Sequence, residues 1–208
     1  MHMKKILSLS LVILLFMSCE EEVNRNPELA NELANEGIAL LQQNNIDEAL
    51  EKFEAALFED DSNEDAYANM IQIYLFQEEY DKAQETTEKA LKVSPDVGEN
   101  WILAGIFHEK KGNPDKAKEY YKESLAKFEA AYEKSLEEEK EDDFGFMQDQ
   151  ITPQEINIIF ANMLLDDRAK VEELVAKLKE KDAENPMIDQ LLDFDREMYI
   201  ETTFPGME

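Results

Sequence analysis

Few residues in this chain have the types and spacing that chemistry needs. Its 208 residues include two histidines and one cysteine. His2 sits at the extreme N-terminus and His108 has no cysteine near it in sequence, so no four-donor zinc set suggests itself. No Gly-rich phosphate loop is present. Acidic pairs occur at Asp142-Asp143, Asp166-Asp167 and Asp193/Asp195, but 49 acidic residues produce such pairs by composition alone. None of them has the alternating spacing of a calcium loop. One cysteine excludes an intrachain disulfide. The chain reads as non-enzymatic, with no catalytic residue, no metal site and no cofactor.

Composition narrows the class further. Forty-nine acidic against 21 basic residues leave a net charge of −28, which repels nucleic-acid phosphates and anionic headgroups. No nucleic-acid partner is expected. The acidity either keeps an exported protein soluble or draws in a basic partner, and both readings stay open. A hydrophobic fraction of 43% supports a core, and six Gly with six Pro favour long helices over a β-rich fold.

The N-terminus carries an address. Lys4 and Lys5 precede the apolar run Ile6 to Met17, and the first acid is Glu20, which is a signal-peptide pattern. A twelve-residue stretch is too short for a spanning helix, which needs about 20. The run ends Phe16-Met17-Ser18-Cys19, a small residue before cysteine, and resembles the bacterial lipoprotein cleavage box, with Phe16 where Leu is usual. The resemblance implies that Cys19 is lipidated and begins the mature chain, anchoring it to the outer membrane of a Gram-negative bacterium through lipid alone. Glu20-Glu21-Glu22 resembles a surface-export signal, or serves as a solvated linker. The expected location is therefore exported and lipid-anchored, on the periplasmic or the cell-surface face.

The elements that would position any functional surface come from a period. Ala49, Ala83 and Ala117 lie 34 residues apart, as do Gly37, Ile71 and Gly105, and Leu33, Tyr67 and Trp101. Leu57, Leu91 and Leu125 keep the same step. A fixed period of this size marks a stacked array of helical hairpins. The pattern Trp101, Ala104, Gly105, Ala117 and Tyr121, with Tyr67, Tyr74, Ala83, Ala90 and Pro95 one copy earlier, resembles the tetratricopeptide repeat. The resemblance covers about residues 30–130 and implies an all-α solenoid with three clear repeats. His108 and Trp101 fall at packing positions of that pattern.

Helix signals complete the map. Asn26-Pro27-Glu28 opens the first helix, and the third repeat's second helix runs on through Tyr132 and Leu136 to about Lys140. Thr152-Pro153-Gln154-Glu155 is a capping box. It starts a fourth, degenerate hairpin that closes the apolar end of the array. Asn185-Pro186 caps a last helix carrying Ile188, Leu191, Leu192 and Met198. The chain divides into signal peptide 1–18, acidic tether 19–27, solenoid 28–140, acidic and aromatic linker 141–151, capping unit 152–199 and a frayed tail 200–208. Phe144-Gly145-Phe146-Met147 either fills a gap under the solenoid or docks a partner.

The repeat resemblance also implies a concave groove lined by the first helix of each hairpin. Its lining would be Asn31, Ala34, Asn35 and Ile38, then Asp65, Ala68, Asn69 and Gln72, then Glu99, Ile102, Ile106 and Glu109. Of the Lys, Asn and Arg residues with which related adaptors clamp an acidic peptide end, only Asn69 is matched. Such a groove suits an apolar helix or extended segment, or one with basic residues. The implied function is a non-catalytic protein-interaction scaffold with an envelope protein or peptide as partner. Lipoproteins of this type serve outer-membrane protein assembly, pilus assembly or peptidoglycan-enzyme control. The alternative is a glycan- or nutrient-binding surface lipoprotein working beside a transporter.

Overall fold

The computed structural model describes residues 25–141 and 151–207. Cys19 and the Phe144–Met147 stretch lie outside the described residues. Four helical hairpins follow in order: α1 (Pro27–Gln42) with α2 (Ile46–Glu59), α3 (Glu64–Phe76) with α4 (Tyr80–Val93), α5 (Gly98–Lys110) with α6 (Pro114–Glu141), and α7 (Pro153–Leu164) with α8 (Arg168–Lys181). Among the described residues there is no strand, and each helix packs on its sequence neighbours, as a solenoid requires.

The starts of these helices follow from their first residues. Asn26 accepts from the Leu29 amide, Asn63 from Ala66 and Asp167 from Lys170, each satisfying an orphan helix donor. Thr152 and Glu155 form a reciprocal capping box. Every hairpin then turns in the same way. Asn44, Glu78, Gly112 and Asp166 all take positive φ, at 61°, 58°, 75° and 59°. In each, the next residue's amide returns to a carbonyl five positions back: Asn45 to Leu40, Glu79 to Tyr74, Asn113 to His108 and Asp167 to Asn162, all at 2.8–3.0 Å. The fourth hairpin is thus a repeat by its turn, although its sequence lacks the small-residue signature.

The signature itself records a trade of volume between paired helices. A Cβ on Gly37 would stand 2.7 Å from the Phe53 ring, and one on Gly105 would run into Tyr121. In the second hairpin Ile71 replaces that glycine, and Thr87 (fully buried) replaces the ring. The fourth hairpin also pairs two mid-sized residues, Ile159 and Val175, both buried. Close packing needs the sum of the two side chains to be right, not either alone. One large core runs the length of the array, and a smaller one joins α7, α8 and the segment after them.

Residues after α8 depart from the expected single helix. They form a short α9 (Pro186–Gln190), a 3₁₀ turn (Leu191–Asp193), a break at Phe194, and α10 (Arg196–Thr203) capped by Asp195. Phe194 takes φ −61°, ψ 123°, which redirects the chain. The expected frayed tail is likewise corrected: Ile200, Phe204 and Met207 are 5%, 0% and 7% exposed and belong to the main core. Burying three large apolar side chains outweighs the entropy of ordering this short segment.

Candidate functional site

The groove is two surfaces, not one. On the third repeat it is filled by the chain's own C-terminal segment. Phe204 meets Phe107 edge-on at 5.0 Å between ring centroids and Tyr80 at 5.8 Å. The Tyr80 hydroxyl donates to the Pro205 carbonyl at 2.7 Å. Lys110 pairs with Glu201 at 3.0 Å. From the other side α7 reaches Glu99, whose carboxylate accepts from Asn157 at 3.0 Å.

Arg196 ties the C-terminal segment to the third repeat through several polar contacts. Its two terminal nitrogens donate to the two Glu109 oxygens at 2.7 and 2.5 Å, and Nε donates to the Leu164 carbonyl at 2.8 Å. The guanidinium also lies over the Tyr121 ring, 5.8 Å from its centroid. The Tyr121 hydroxyl donates to Glu109 at 2.8 Å. Burial, together with the neighbouring Glu109 charge, pushes that phenol far above its ordinary range, so it remains a donor. Bidentate geometry with the remaining donors satisfied is what makes a partly desolvated ion pair favourable.

The expected lining residues divide accordingly. Ile102 and Ile106 are 6% and 0% exposed, and Ala34 is 2% exposed, so these three are packing residues and not free lining. For the two isoleucines, the covering α7 and C-terminal segment account for it; Ala34 is small and lies within the main core. Glu99 and Glu109 lie where predicted but are engaged by Asn157 and Arg196. Asn31 is exposed, yet its side-chain oxygen accepts from Asn63 at 2.9 Å, which ties the first repeat to the second.

Asn35, Ile38, Asp65, Ala68, Asn69 and Gln72 remain, exposed or half-exposed, on α1 and α3. The Asn69 amide nitrogen donates to the Asp65 backbone carbonyl at 2.8 Å, leaving its oxygen free to accept. One residue of this surface was missed in the sequence. Phe76 is 81% exposed, lies one turn beyond Gln72 on the same helical face, and stands at the repeat position of Lys110. The signal was available: a phenylalanine where the copies before and after have Gln42 and Lys110.

Other concave places offer less. A cleft between α2, α3 and α4 is bordered by Tyr67, Tyr74, Lys82 and Lys89, but both lysines are committed to Glu79 and Glu85. Trp101 packs against Tyr120 at 5.4 Å and donates to the Pro95 carbonyl, and His108 packs on the same ring at 4.9 Å. Burial, reinforced by nearby Lys116, lowers the His108 pKa and favours the neutral ring. Among the described residues no cluster of three or more His, Cys, Asp or Glu could hold a metal. No described helix is long and apolar enough to cross a membrane.

Comparison with known proteins agrees on architecture. Tetratricopeptide-repeat models match residues 40–101 and 98–126, so this part of the chain carries tetratricopeptide repeats. A tetratricopeptide repeat protein from Parabacteroides merdae superposes with a TM-score of 0.51 at 15% identity, over 86% of this chain and 60% of that one. This chain thus spans less than two thirds of that protein's length. A Pseudomonas aeruginosa structure described as pilF superposes with a TM-score of 0.51 at 18% identity, over 87% of this chain and 77% of that one. At such identities the likeness shows the fold alone. No curated protein matches the sequence significantly. The fold is an all-α solenoid of tetratricopeptide repeats, an architecture that generally serves protein binding.

Proposed function

We propose that this protein is a lipid-anchored envelope scaffold, tethered through Cys19, that binds a protein partner in the open groove of its first two repeats. The observation that carries the reading is Phe76, 81% exposed on the groove face beside Gln72, Asn69, Ala68 and Ile38. An exposed aromatic ring among amides and small side chains is what a partner's apolar segment can cover, with free amide groups to fix its register. Asp65 and the net charge of −28 favour basic residues flanking that segment and disfavour an acidic one. The acidic stretch from Cys19 to Asn26, with Glu20 to Glu22, would serve as the tether between lipid and solenoid.

The test has two arms. A photo-crosslinking side chain at Gln72, placed in living cells, should yield one dominant envelope-protein adduct that disappears when Phe76 is changed to Ser. Unchanged adducts in Phe76→Ser, or none from a folded and lipidated protein, would remove the groove reading. Cys19→Ala should shift the protein from the membrane to the soluble fraction; continued membrane association would remove the anchor.

A further inference from the structure

The C-terminal segment is held on the third repeat as a ligand is held. α10 has eight residues, too short to be a stable helix alone in water. No repeat helix packs closely along its backbone. Its hold comes from side chains on one face at four-residue spacing: Arg196 on Glu109, then Ile200 and Phe204 in the core that contains Ile106 and Phe107. The segment is also an imperfect occupant. Glu197 and Glu201 join Glu109 around one shallow cleft, with Lys110 as the cation among its lining residues. Arg196 neutralises Glu109 and Lys110 neutralises Glu201, so Glu197 is the carboxylate left over, and on an already acidic protein an occupant without it is favoured.

We propose that the third-repeat groove is an exchangeable docking site, in which α10 is the resident occupant. A partner helix bearing Arg followed by apolar residues four and eight positions later, and neutral or basic where the tail has Glu197, takes its place. The inference rests on the reading of the chain as a groove-docking scaffold and names the chemistry of the partner. While the tail is docked, the site is masked, and its apparent affinity is the intrinsic affinity multiplied by the fraction of time the tail is away.

The test uses the full chain with a weakened tail, Arg196→Glu with Phe204→Ala, and a fluorescent synthetic peptide of residues 195–208 as probe. Anisotropy should show saturable binding about tenfold tighter to this variant than to the unaltered chain. A probe carrying Glu197→Lys should bind more tightly still, and adding Glu109→Arg to the variant should abolish binding. Equal binding to both chains, or none to a variant whose far-ultraviolet circular dichroism is intact, overturns the exchange.

Hydrogen exchange on the unaltered chain gives a second arm that needs no variant. Amides of Tyr199 to Phe204 should exchange about tenfold faster than those in the middle of α5, through local release of the tail. Equal protection means that the tail opens only with the whole fold, and overturns the inference as well. Loss of the Gln72 crosslink with peptide binding intact would sink the open-groove reading alone; the reverse result would sink the exchange alone.

Discussion

Gln72 and Ile106 occupy the same position in successive repeats, yet one is exposed and the other is fully buried. The groove face of the second repeat is open to solvent, and that of the third lies under α7 and α10. Repeat symmetry therefore sets where a surface is, and not whether it is free. What separates the two is the chain beyond the array. The groove helix of the third repeat meets Arg196, Ile200 and Phe204, while the second repeat meets Phe204 and Pro205 at Tyr80 on its second helix. Side-chain type follows. Ala68, Asn69 and Gln72 tolerate water, whereas their counterparts Ile102, Leu103 and Ile106 are apolar.

The contrast is broken most severely by placing the same charge at both positions. Ile106→Arg should cost about 3–5 kcal/mol, because the cation enters an apolar site with no partner or expels the tail. Gln72→Arg should stay within about 0.5 kcal/mol. Urea denaturation of the two variants measures the difference, and similar losses would mean that the two grooves are not distinct.

Next in size is the pair of rings that meet edge-on. Phe107→Ala should cost about 3–5 kcal/mol, since α5 cannot move away from its cavity. Phe204→Ala should cost less, about 1–3 kcal/mol, because its loss is limited by release of the segment. Denaturation midpoints rank them; a larger loss from Phe204→Ala would make the tail an integral part of the core.

The joint behind the covered groove should be acid-sensitive. Burial raises the pKa of Glu155, but hydrogen bonds from Lys181 and from the Thr152 amide and hydroxyl outweigh it and leave the carboxyl below its ordinary 4.5. A folded pKa below the unfolded one means stabilisation that is fully present above about pH 4.5 and lost as pH falls through the lower folded value. Glu155→Gln should remove about 1–2 kcal/mol at neutral pH and flatten that part of the acid dependence. An unchanged acid limb would assign the sensitivity elsewhere.

The smallest effect on stability belongs to the open face. Phe76→Ser should change the denaturation midpoint by no more than about 0.5 kcal/mol, while removing the crosslink from Gln72. A stability loss comparable to that of Phe107→Ala would show that Phe76 is a packing residue.

The repeat is written in the order of residues. The 34-residue step of Ala49, Ala83 and Ala117 and the helix starts at Asn26-Pro27 and Thr152-Pro153 all follow from contacts a few residues long or between adjacent helices, and such contacts impose a period that can be read. The second helix of the third repeat was legible for the same reason, since apolar spacing continues without a breaker to Leu136 and α6 ends at Glu141. Which groove residues are free follows from long-range packing instead. Arg196 and Glu109 are 87 residues apart, and Tyr80 and Pro205 are 125 apart. No local pattern marks partners so distant, and a short polar-flanked segment such as 196–207 looks frayed until the surface that buries Phe204 is present. Ile102 and Ile106 carry apolar side chains in either case. Whether they form a binding surface or a core depends on the free energy of folding a remote segment onto them, and that is set by the assembled solenoid.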